Sequence, residues 1–110
     1  MKKIKRKPMS LNEAWQCKRI KSAQYRAYAK WAYINLPSID VPKGELVLYL
    51  EFGFSNRGAD IDNPVKPFVD ILQAKYGFND NRIYRLVVDK VIVKAGDEYI
   101  SFKIGRAYEG

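Results

Sequence analysis

The chain has 110 residues, with twenty Lys and Arg against twelve Asp and Glu, a net charge of +8 and no histidine. That length fits one domain, and a content of 47% hydrophobic and 14% aromatic residues excludes a disordered polybasic tail. The missing histidine excludes Ser-His-Asp and Cys-His catalysis and His-liganded zinc, and the single Cys17 excludes an internal disulfide and a Cys-rich metal site.

Residues 2–6 read as a short strand, and Pro8 through about Lys21 as a polar, basic loop. Pro8-Met9-Ser10-Leu11-Asn12-Glu13 follows the basic start where a signal peptide would need an apolar core, so no secretion signal is read there. Ser22 is a good N-cap for a helix over 23–35, and Leu36-Pro37 ends it. Leu46, Leu48, Leu50, Phe52 and Phe54 alternate along a strand, which Asn56-Arg57-Gly58 breaks. Leu46 to Leu50 is the longest apolar stretch, too short to cross a bilayer, so a soluble, cytoplasmic protein without membrane partners is expected.

A second helix is expected from about Pro64 to Tyr76, with Val65, Phe68, Val69, Leu72 and Tyr76 on one face. Asp62 or Asn63 would cap it, Pro64 suits its first turn, and Gly77 with apolar Phe78 suits its end. Residues 83–93 form a long strand, Ala95-Gly96-Asp97 a tight turn, and 98–104 the returning strand. The order β-α-β-α-β-β describes a two-layer α+β domain over 1–110, a mixed sheet with two packed helices.

The positive charge is concentrated. Residues 1–30 carry ten basic residues and one acid, and residues 31–110 are close to balanced. Such a field suits a polyanion, nucleic acid first among them, and Lys18, Arg19, Lys21 and Arg26, with Arg57, are the candidate contacts. Trp15, Tyr25, Tyr28, Trp31 and Tyr33 fall among these charges, as stacking or as core residues. Lys2 to Lys7 fits a flexible arm as the alternative to the short strand over 2–6.

Asp60-Ile61-Asp62-Asn63 stands between a strand and a helix. In an extended segment, side chains at i and i+2 point the same way, about 6.6 Å apart along the backbone. Two such carboxylates can converge on a divalent ion, and hard oxygen donors select Mg²⁺ or Mn²⁺. The same four residues also fit a helix cap and a turn.

Asp60-Ile61-Asp62-Asn63, then Lys66, Asp70 and Leu72, then Gly77-Phe78-Asn79-Asp80, resemble the signature of RusA-type Holliday junction endonucleases. Pro8-Met9-Ser10-Leu11-Asn12 resembles that family's P-x-S-x-N turn, and Ser22-Ala23 with Tyr28 the start of its first helix. The resemblance implies that Asp60, Asp62 and Asp80 bind Mg²⁺ and that Lys66 is the catalytic lysine. It further implies a homodimer that resolves four-way DNA junctions by symmetric nicking in recombination and repair, and such compact members fit a phage or prophage. Two positions depart from the pattern. Asn79 stands where a second acid is common, and Pro67 biases Lys66 away from helical geometry.

With histidine absent, water activated by a metal ion is the expected nucleophile, and Lys66 offsets phosphoryl charge or orients that water. A helix from Pro64 to Tyr76 is about 20 Å long, with Asp60 and Asp62 before its start and Asp80 beyond its end. Either residues 77–82 double back along it or a second subunit supplies Asp80. The competing readings are a non-catalytic nucleic-acid-binding protein and a nuclease of the same chemistry acting on other branched DNA.

Overall fold

The computed structural model describes residues 1–9, 15–17 and 20–108, with backbone alone at 15–17, 20 and 21. It is an α+β domain in which two helices cover one face of a mixed four-stranded sheet. The main sheet consists of β1 (Lys2–Ile4), β4 (Leu46–Phe54), β5 (Ile83–Ile92) and β6 (Tyr99–Arg106), in the order β1-β6-β4-β5. Strands β2 (Trp15–Cys17) and β3 (Ile20–Lys21) form a separate antiparallel pair, where the sequence suggested only loop.

Helix α1 (Ala23–Asn35) starts as its sequence indicates, with Ser22 Oγ accepting from the Tyr25 N–H at 3.0 Å. Helix α2 (Val65–Tyr76) ends at Gly77, whose φ of 70° is the left-handed conformation that glycine adopts without strain. Phe78 then turns back into the core.

The helix-facing residues of β4 (Leu46, Leu48, Leu50, Phe52 and Phe54) meet Phe68 and Leu72 of α2 and Tyr28 and Ala32 of α1. Phe68 is the hub, edge-on to Phe52 at 6.5 Å and to Phe102 at 5.8 Å between ring centroids. On the opposite face Gly53 lets the Tyr99 ring lie against the strand. A Cβ there would stand 2.4 Å from two of its ring carbons.

Two expectations change. The stretch 83–93 and the returning strand are not a hairpin: β4 lies between them, parallel to β5 and antiparallel to β6. Strand β4 is buried or half-buried along its whole length, so it takes the sheet centre, and the Gly96 turn carries the chain over its end, where the Val93 N–H reaches the Phe54 carbonyl at 2.7 Å. The basic N-terminus is not a flexible arm either. Ile4 is buried opposite Ile100, Lys3 caps the Tyr99 ring at 4.1 Å, and Arg6 lies over Trp31 at 5.2 Å.

Candidate functional site

The β4-α2-β5 unit places the loop 55–64 at the carboxyl end of two parallel strands, directly before the α2 N-terminus. In open sheets this is where ligands gather, because the helix dipole and converging loops meet there. Lys90 of β5 fixes the loop by donating to the carbonyls of Arg57 at 2.8 Å and Ala59 at 2.5 Å. Arg57 and Asp60 thus belong to one anchored, exposed loop.

Residues 61–64 are bent and turned, not extended, so the i, i+2 argument for Asp60 and Asp62 does not hold locally. The Asp62 carbonyl accepts from the Val65 N–H at 3.1 Å, closing a turn onto the helix. Neither Asp62 nor Asn63 caps α2 with its side chain. Pro64 occupies the cap position, and no side-chain hydrogen bond is made there. Asn63 instead donates to Asp60 Oδ2 at 3.2 Å and orients that carboxylate. The Asp62 carboxylate is exposed.

Pro67 does not displace Lys66. Counting from Pro64, it occupies the third helical position, whose N–H has no partner within a helix, so its missing donor costs no hydrogen bond. Lys66 is helical, and its Nζ lies 2.8 Å from Asp70 Oδ1. That hydrogen bond raises the Lys66 pKa against a smaller lowering by desolvation, and the charges of Asp70 and Asp80 add to the rise.

Asp70 does more than pair with Lys66. It also accepts from Gln73 Nε2 at 3.4 Å, while Gln73 Oε1 accepts the Asp80 backbone N–H at 2.8 Å. Lys66, Asp70, Gln73 and the Asp80 turn therefore form one chain of contacts along α2. Asn79 has a structural use, its Oδ1 accepting from the Asn81 N–H at 3.0 Å. The segment after α2 doubles back along the helix, its Asp80 N–H held by Gln73 and its Asp80 charge reaching Lys66. Among the described residues no three acidic, His or Cys side chains converge within one chain, so Asp60, Asp62 and Asp80 are not brought together there.

An open cavity of about 230 Å³ adjoins Asp60, walled by Pro8, Phe54 and Pro64, with Lys7, Asn56 and Glu98 at its polar side. Ser55 Oγ donates to Glu98 Oε2 at 2.7 Å, and the Gly96 N–H donates to Glu98 Oε1 at 2.8 Å. The Ser55 bond first, then the backbone N–H groups of Glu98 and Gly96, hold the carboxyl below its ordinary range. Sequence reasoning missed Gln73 and Glu98. Gln73 follows Asp70 at the helical i+3 spacing, a readable signal, whereas Glu98 reaches the site only through the fold.

Of the expected DNA contacts, Lys18 and Arg19 lie outside the described residues, Lys21 belongs to β3, and Arg26 is exposed on α1. Tyr25 and Tyr28 are buried core residues and offer no stacking face, whereas Tyr33 is exposed beneath Lys75. No described helix is long and apolar enough to cross a membrane. No family model matches this chain, and no curated protein matches it.

Proposed function

We propose that this protein is a divalent-metal-dependent, structure-selective DNA endonuclease that nicks four-way junctions as a homodimer. The observation that carries the reading is the exposed Asp60-Asp62 pair before α2. These carboxylates are not used as helix caps, and Lys66 stands in the first turn behind them. The RusA-like spacing of Asp60, Asp62, Lys66 and Asp80 supports the same reading.

The donor chemistry suits Mg²⁺ or Mn²⁺, but one chain offers two carboxylates where three are called for. In the proposed dimer the partner's Asp80 completes each set, because two-fold pairing brings the far end of one α2 to the start of the other. A bound divalent ion would polarise a phosphoryl oxygen and water.

The chain's own residues then have distinct tasks. Asn63 orients Asp60. Lys66, kept protonated by Asp70 and Asp80, offsets charge that develops on the phosphoryl oxygens. Lys7 lines the cavity beside Asp60 and Arg57 is exposed on the same loop, where a DNA phosphate backbone would run, and the basic N-terminal third would extend that surface.

The test is gel cleavage of a synthetic four-way junction beside the matching linear duplex, with Mg²⁺ and with chelator, for wild type and Asp62→Asn. Paired nicks in the junction alone, lost with chelator and with the substitution while binding persists, are expected. Tight junction binding without cutting under either metal would overturn the proposal in favour of a binding protein.

A further inference from the structure

Strand β5 forms one edge of the main sheet. Among the described residues its outer edge is unpaired over ten residues, Ile83–Ile92. Long edge strands are ordinarily shielded by charge, bulges or a covering element, because their free backbone groups recruit another strand. Here charged residues and one irregularity near Tyr84 stand beside exposed apolar side chains: Tyr84 is 61% and Leu86 47% exposed. Leu86 and Val88 line an apolar hollow with Ile61 and Val65, whose rim holds Asp62 and Lys66.

The charges on the strand are also unmatched. Arg85 and Asp89 lie on the face away from the helices, in register with Val47 and Glu51 of β4. Asp89 therefore stands beside another carboxylate, and neither it nor Arg85 belongs to an ion pair among the described residues.

We infer that β5 pairs antiparallel with β5 of a second copy of this chain, in the register that sets Val87 opposite the partner's Val87. A two-fold axis perpendicular to the sheet keeps both helix layers on one face, so residues directly opposite must sum to an even number. In this register the sum is 174. Arg85 meets the partner's Asp89 twice by symmetry, neutralising the Glu51-Asp89 pair, and Leu86 meets the partner's Val88, joining the two apolar hollows into one seam.

Neighbouring registers fail. A slip of two residues either way removes both ion pairs. A slip of four sets Arg85 against Arg85 or Asp89 against Asp89, and like charges directly opposite are destabilising. The pairing also brings the partner's β5 start, with its Asp80 turn, to the end of the sheet that carries Asp60 and Asp62. The inference thus supplies an interface for the dimer proposed above, while standing on β5 alone.

The test reads mass, not cleavage. Sedimentation of wild type, Arg85→Asp, Asp89→Arg and the double exchange is compared, with circular dichroism reporting folding. Each single variant is expected to weaken dimerisation by roughly tenfold or more, and the double exchange to restore it to within about threefold. In a Cys17→Ser background, Val87→Cys should cross-link to a dimer on oxidation, since directly opposed Cα atoms lie within disulfide reach, and Tyr84→Cys should not. A monomeric wild type, a dimer indifferent to both charges, or singles that the double exchange does not rescue would overturn the inference. A dimer in this register that cuts no DNA would leave it standing and remove the nuclease proposal.

Discussion

Lys66 and Asp70 face each other one turn apart on α2, Nζ to Oδ1 at 2.8 Å, and the Asp80 charge acts on the same ammonium. A lysine held this way has its pKa raised, so it stays protonated through neutral and mildly alkaline pH and does not serve as a base. Lys66→Met is expected to slow single-turnover junction cleavage by about 10²–10³-fold while binding holds. Between pH 7 and 9 the wild-type rate should show no limb that disappears with this variant. The stability consequence has a definite sign: a raised folded-state pKa stabilises below the ordinary value of 10.5 and is lost as pH climbs through the raised one. Because the Lys66 side chain is 58% exposed, the pair contributes no more than about 0.5 kcal/mol.

Asp62→Asn separates the catalytic from the structural reading by stability alone. A lost side-chain cap costs about 0.5–2 kcal/mol, but Asp62 makes no such bond, and only its interaction with the α2 dipole is at risk. Chemical denaturation should therefore find a change below about 1 kcal/mol. A larger loss would mean that the carboxylate is consumed in holding the helix.

What could be read from the sequence was local. Ser22, Gly77 and the alternation of β4 act within a few residues, and their elements formed where the pattern put them. The exchange of partners between β5 and β6 was not legible, because nothing in residues 83–104 records that β4 has the stronger claim to the sheet centre. Pro67 misled in the other direction: its rule describes the preceding residue in general, and at the third helical position the missing donor is harmless. The acids were legible as a set but not as a site. Their spacing is visible in the chain, whereas the turn that holds the Asp80 backbone on Gln73, without gathering the three acids, is not.

Gly53 tests the sheet packing. With a Cβ placed 2.4 Å from the Tyr99 ring, Gly53→Ala must displace a buried aromatic, at a cost of about 1–3 kcal/mol in denaturation experiments. Tyr99→Leu in the same background should recover part of that loss, because the side chain in the way is then smaller.

The basic surface predicts a salt response. If about six cationic side chains contact phosphates, log affinity for a junction should fall against log salt with a slope near −5. Lys7, at the mouth of the cavity beside Asp60, should account for about one unit of that slope, read as the difference between wild type and Lys7→Ala. An unchanged slope would place the DNA path elsewhere.

The shared-site dimer makes a prediction that no single-chain site can meet. Asp62→Asn and Asp80→Asn should each be inactive, since each removes a donor from both sites. In a mixed dimer of the two, one site joins the two substitutions and is dead, while the other joins the wild-type Asp60 and Asp62 of one subunit to the wild-type Asp80 of its partner. Subunit exchange between the inactive proteins should therefore restore about a quarter of the wild-type sites, half of the dimers being mixed and each carrying one competent site. The product should be a junction nicked in one strand, without the paired second cut. If Asp80 served its own chain, both sites of the mixed dimer would be dead and mixing would restore nothing.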